Sequence, residues 1–135
     1  MKYFTLHELT KSDTALVRHI DNSPTREHVE NLVGLVENIL DPLREAYGKP
    51  IVVNSGYRSI ALNRAVGGVA TSDHLTGRAA DIHGTPNTKA ENKKIFDLII
   101  KLNLPYRQLI DEKNFSWVHV SWNPTVKEHR FFSIK

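Results

Sequence analysis

From Val29 to Leu43 the apolar residues recur at helical spacing. Val29, Leu32, Val33, Val36, Ile39, Leu40 and Leu43 make one stripe, so this segment is a helix that must lay one face on a core. Thr25, after Ser23-Pro24, is the candidate N-cap, with Glu27 in the first turn and His28 three residues on. Pro42 should kink or restart the helix near its C-terminal third, and Gly48-Lys49-Pro50 should end it. The chain then enters Ile51-Val52-Val53, a β-branched run that reads as a strand through about Ser55. A one-sided helix feeding directly into a strand calls for a layered fold in which helix and sheet share a core.

The remaining punctuation extends that pattern. Residues 1–24 read as a docking segment with Leu6 and Leu9, followed by a capped turn at Thr10-Lys11-Ser12-Asp13. A short helix is expected around Ile60–Ala65, inside a loop that is rich in Gly, Ser and Thr through Asp73. Arg78 to His83 reads as a second strand. A second helix starts at Asn87-Thr88-Lys89, with the stripe Ile95, Phe96, Leu98, Ile99 and Leu102. Gln108-Leu109-Ile110, Phe115 to Trp122 and Arg130 to Ile134 are the further strands, the last at an edge. The expected class is α+β, a small antiparallel sheet packed against helices, with residues 1–135 forming one domain.

Composition removes several function classes. Hydrophobic residues make up 40% of 135, enough for a core that needs neither disulfide nor metal merely to fold. There is no cysteine, which excludes thiolate metal sites and cysteine nucleophiles. The 18 basic residues against 15 acidic give a net charge of +3, scattered without the basic stripe and interleaved aromatics of a nucleic-acid surface. No run approaches the roughly 18 apolar residues of a membrane span. The N-terminus lacks the apolar core of an export signal. The chain is expected to be soluble and monomeric, cytoplasmic as synthesised, with neither nucleic acid nor membrane as partner.

Chemistry concentrates in two of the seven histidines and their neighbours. Ser72-Asp73-His74-Leu75-Thr76-Gly77-Arg78-Ala79-Ala80-Asp81 carries a His on a flexible loop and an Asp on the strand that follows. Gly77 lets the backbone turn tightly between them. In Trp117-Val118-His119-Val120-Ser121 the alternation puts Trp117, His119 and Ser121 on one face, and Val118 and Val120 toward the core. Imidazole nitrogen and carboxylate oxygen are ordinary zinc ligands, and a catalytic zinc takes three protein ligands plus one open position. His74, Asp81 and His119 are therefore the candidate metal set.

The ordered segments Ser55-Gly56-Tyr57-Arg58-Ser59, Asn63, Val66-Gly67-Gly68, Ser72-x-His74-x-x-Gly77-x-Ala79-x-Asp81 and Trp117-Val118-His119-Val120-Ser121 span residues 51–122. Together they resemble the zinc D-Ala-D-Ala carboxypeptidases, peptidoglycan peptidases that share a fold with the hedgehog signalling domain. The resemblance implies Zn2+ on His74, Asp81 and His119, and a peptidoglycan peptide as substrate. Some relatives carry a catalytic His two residues before the last ligand. Here that position is Trp117, which cannot act as a base. The family's other location for this group falls on Gln108-Leu109-Ile110-Asp111-Glu112, which implies Glu112 as general base with Asp111 as its rival.

Arg58 is expected to bind a substrate carboxylate or to stabilise the oxyanion, the other reading being an ion pair that orders its loop. Ser72 either contacts substrate or caps its turn, and Asn63 is expected to order the Gly67-Gly68 loop. Trp117 and Trp122 are candidates for a substrate groove or for plain packing. His83, two residues after Asp81, would close a four-ligand structural site if it joined the other three. Otherwise it lies behind the metal or on the surface. His7, His19, His28 and His129 lack partner spacing. The expected activity is zinc-dependent hydrolysis of a bond in peptidoglycan stem or cross-bridge peptides, as carboxypeptidase or endopeptidase, in the manner of a phage endolysin released to the wall. The competing class is a zinc-containing binding module without turnover.

Overall fold

A computed structural model describes residues 1–126 and 128–135. Two short helices, α1 (Leu6–Thr10) and α2 (Asp13–Val17), precede α3 (Arg26–Leu35), and a π-helical turn over Val36–Leu40 leads directly into α4 (Asp41–Tyr47). Strand β1 (Val52–Ser55) and α5 (Ile60–Ala65) follow, then a 3₁₀ turn at Asp73–Thr76 and β2 (Ala79–His83). Helix α6 (Lys89–Lys101) leads to β3 (Gln108–Glu112), β4 (Trp117–Ser121) and β5 (Arg130–Ile134).

Local chemistry accounts for the boundaries. Thr25 caps α3 reciprocally with His28: the hydroxyl accepts from His28 N at 3.3 Å, and His28 Nδ1 accepts from Thr25 N at 3.1 Å. Thr5 and Glu8 form the same kind of box at α1, and Ser12 caps α2. The helix restarts at Asp41, and the cause is Pro42 in the first turn of α4. Pro42 has no N–H to offer the carbonyl four residues back and its ring crowds that carbonyl, and the preceding turn widens so that Asp41 N–H donates to Val36 O instead. Gly48, at φ 75°, closes α4 in the left-handed conformation.

The sheet order is β1-β2-β4-β3-β5. The β1–β2, β2–β4 and β4–β3 pairs are antiparallel, and β5 joins β3 in parallel at the edge, making the sheet mixed. β5 thus lies on the far side of β3 from β4 and runs opposite to β4. The α+β class holds, with this parallel edge as a refinement of the expected antiparallel sheet. One face carries the fully buried Ile82, Leu109, Val118 and Val120 against Leu40, Leu43, Ile95 and Ile99 of the helices. The stripe of α3 is shifted: Leu35 is buried, while Val29 and Val33 are half-buried. Leu102 leaves the α6 stripe and is exposed, because it is the C-cap where the helix has already ended. Among the described residues no helix is long and apolar enough to cross a membrane.

Candidate metal centre

The loop after β1 builds the first wall of the site. Tyr57 N–H donates to Leu9 O at 2.8 Å, seating α1 against this loop. The approach is so close that a side chain on Gly56 would sit 2.2 Å from the Leu9 carbonyl oxygen. Asn22 clamps the same loop. Its amide donates to Tyr57 O at 3.1 Å and its carbonyl accepts from Ser59 N at 2.7 Å. The Gly56 carbonyl is thereby fixed, and it accepts from His74 Nδ1 at 2.6 Å. That bond places the ring proton on Nδ1 and leaves the Nε2 lone pair free.

His74 sits on the 3₁₀ turn, 2% exposed. Ser72 Oγ accepts from His74 N at 3.1 Å, capping the turn, and Gly77 closes it at φ 77°. Arg107 Nη1 reaches Asp73 Oδ2 at 2.8 Å and ties the turn to the start of β3. Asp81 and His119 are register partners on the adjacent strands β2 and β4. This cross-strand pairing brings together two residues that are 38 positions apart in sequence.

The three side chains converge on one carboxylate oxygen. Asp81 Oδ1 lies 2.9 Å from His119 Nδ1 and 3.3 Å from His74 Nε2. One donor atom from each residue lies within 4.8 Å of the others. Burial opposes ionisation of Asp81, but the hydrogen bond from His119 and the close contact with the His74 ring outweigh it and hold the carboxyl below the usual carboxylate range. This donor set suits zinc. Tetrahedral ligands at about 2.0–2.2 Å from the ion are about 3.3 Å apart, near the 2.9 and 3.3 Å that separate Asp81 Oδ1 from the two imidazole nitrogens. The His74 tautomer is already set, and the cluster opens on one side into a cleft of about 620 Å³.

Arg58 is half-buried beside this group with every nitrogen engaged. Nη2 donates to Asp81 Oδ2 at 3.2 Å, Nε to Ser55 Oγ at 2.9 Å and Nη1 to Asn63 Oδ1 at 3.3 Å. Asp81 is thus held by one oxygen and presents the other to the histidines. Asn63 also donates to Val69 O at 2.9 Å, which orders the Gly67-Gly68 loop. A side chain on Gly68 would collide with Asn63 Oδ1 at 2.0 Å.

Glu112, Trp117, Ser72 and Arg58 line the same cleft as the three converging residues. Glu112 Oε2 accepts from Trp117 Nε1 at 2.9 Å. Asp111, its neighbour on β3, points to the opposite face and lines a separate cavity of about 330 Å³ with Lys113 and Ser133. His83 stands apart. Two residues along a strand displace it by about 7 Å from Asp81, and its Nδ1 donates to Gly84 O at 2.8 Å. Trp122 packs over Gly34, where any side chain would sit 2.3 Å from the indole. Asn22, Arg107 and the Gly56 carbonyl all support the site, yet none carries a sequence signal beyond residue type and position.

A sequence model of the family described as Peptidase M15 matches residues 2–121. A protein of Streptomyces albus G named zinc D-Ala-D-Ala carboxypeptidase is 50% identical over 44 residues. That stretch covers 32% of this chain and 17% of the relative, so the likeness is confined to a small part of that protein.

Proposed function

The chain belongs to the Peptidase M15 family, and from that premise we propose that it is a zinc metallopeptidase that hydrolyses a peptide bond in peptidoglycan stem or cross-bridge peptides. The observation that carries the reading is the meeting of His74, Asp81 and His119 at one point inside a cleft that Glu112 also lines. His74 Nε2, an Asp81 oxygen and a His119 nitrogen would hold the zinc. Bound there, zinc supplies Lewis acidity, polarising the scissile carbonyl and making water a nucleophile near neutral pH.

The protein's own groups do the rest. Glu112 takes the proton of the attacking water and returns it to the leaving amine. Arg58 keeps N–H groups beyond those committed to Asp81, Ser55 and Asn63. One of them faces the oxyanion or a substrate carboxylate. Ser72 caps the His74 turn at the cleft wall, where its oxygen also meets the substrate, and the Trp117 ring forms the opposite wall. In this reading residues 1–135 act as one monomeric domain, endolysin-like, on the cell wall after release. Its substrates are peptides, with neither nucleic acid nor membrane as partner.

The test is metal analysis of the purified protein together with release of new amino groups from peptidoglycan. About one zinc per chain with hydrolysis supports the reading. One zinc per chain with no hydrolysis of any wall peptide replaces it with a non-catalytic binding module of the same fold.

A further inference from the structure

Trp117 stands where a base would be useful and cannot be one, because an indole offers only a donor. What it donates to is Glu112. The two residues are register partners on β4 and β3, and Trp117 Nε1 lies 2.9 Å from Glu112 Oε2. Trp117 is paired with β3, and the rest of β4, from Val118 on, is paired with β2 as well, so the strand that carries the indole is anchored. Lys113 Nζ lies over the same ring, 5.6 Å from its centroid. Glu112, by contrast, is half-buried on a strand end, with three side-chain torsions to settle.

We propose that Trp117 is a positioning residue that holds the Glu112 carboxylate over the cleft by its indole N–H. The hydrogen bond engages Oε2 and leaves Oε1 to accept a proton. A donor without a titratable proton fixes the base without competing for its role. A single strand also carries both this donor and His119, two residues apart, so β4 ties the anchor of the base to one member of the metal set. This inference rests on the reading of Glu112 as general base.

The experiment has a spectroscopic arm and a kinetic arm, both on the zinc-loaded full chain. The chain holds two tryptophans, so a ¹⁵N-labelled sample gives two indole resonances. Glu112→Ala should move the Trp117 indole proton upfield and speed its exchange with water, leaving that of Trp122 in place. Trp117→Phe keeps an aromatic wall but removes the donor. It should lower kcat about ten- to hundredfold, the factor expected for one hydrogen bond to a charged acceptor. KM should stay within about twofold, with zinc content and Tm retained. A Trp117→Phe protein whose KM rises at unchanged kcat makes the indole a substrate wall and overturns the proposal. An indole resonance indifferent to Glu112→Ala overturns it without reference to activity. A parent that binds zinc but hydrolyses nothing overturns the peptidase reading itself, an outcome distinct from an active parent with an unaffected Trp117→Phe.

Discussion

Asp81→Asn keeps the volume of the side chain and removes its charge, which makes it a direct probe of the centre. In the folded protein Asp81 accepts from His119 and Arg58, lies against His74 Nε2 and is 7% exposed. The substitution leaves the Arg58 guanidinium, its side chain 15% exposed, without its counter-charge. Breaking one half of a buried pair costs about 3–5 kcal/mol, and the residual exposure here argues for the lower end, about 3 kcal/mol. At about 2.1 cal/mol/K per residue, 135 residues unfold with an entropy of about 0.28 kcal/mol/K, so Tm should fall by about 10 °C. The measurement is thermal unfolding by circular dichroism in excess chelator at pH 7, so that lost zinc does not contribute. Excess zinc forms the second half of the assay. A ligand at a thousand times its Kd stabilises the folded state by about 4 kcal/mol, which the parent should gain and the variant should not. A variant that melts within about 2 °C of the parent in chelator, or that gains the parent's full increment from zinc, would refute the buried cluster as the metal site.

Glu112→Gln should lower peptidoglycan hydrolysis by ~10²–10⁴-fold while keeping zinc and Tm, and Asp111→Asn should change it little, because Asp111 faces the other side of the sheet. Steady-state rates on isolated wall peptides, read beside metal content, decide between the two carboxylates. Arg58→Ala should lose activity and also weaken zinc retention in a chelator titration, since Arg58 Nη2 fixes Asp81 Oδ2. Full zinc affinity in that variant would restrict Arg58 to the substrate. Glu91 is held down to about 2 by hydrogen bonds from Lys49, Lys94 and Tyr47. Its folded pKa is depressed, so its contribution is present above about pH 4.5 and disappears as pH falls toward 2. Glu91→Gln should therefore flatten the acid limb of a Tm-against-pH curve, and a curve that keeps the parent's acid slope would count against this network.

The legible parts of this fold are those in which one strand or one helix decides. Val118 and Val120 face the core and His119 the cleft, because alternation along a single strand fixes all three. Thr25 caps α3 because its hydroxyl bonds locally. Features that depend on two distant segments are not legible in this way. The parallel edge pairing of β5 depends on where it docks on the earlier strand β3, and no pattern inside Arg130–Ile134 announces it. Pro42 reads as a kink or restart, but the π turn at Val36–Leu40 that precedes the restart does not show in the sequence. The tie between Arg107 and Asp73 and the clamp made by Asn22 join residues 34 and 37 positions apart, and composition alone cannot announce either. The tautomer of His74 depends on a backbone carbonyl, that of Gly56, which carries no identity in the sequence at all.

The two faces of the sheet explain why a site this polar can sit at its centre. Asp81, His119 and Ser121 are all buried on the two central strands, positions that would each be costly if unpaired. Asp81 and His119 satisfy one another across β2 and β4, and Ser121 Oγ accepts from Gln108 N at 3.1 Å. Ile82, Val118 and Val120, on the same two strands, reach the opposite face and meet the helices. None of the three converging residues belongs to that apolar cluster. Cohesion of the fold and chemistry of the cleft are thus assigned to alternate residues of the same strands. Replacing one of the three converging residues perturbs the hydrogen-bonded cluster while the apolar layer behind it stays packed. A one-residue slip of β4 against β2 would instead carry Val118 and Val120 into the cleft and His119 into the core, so the packing of the apolar face also enforces the register that joins Asp81 to His119.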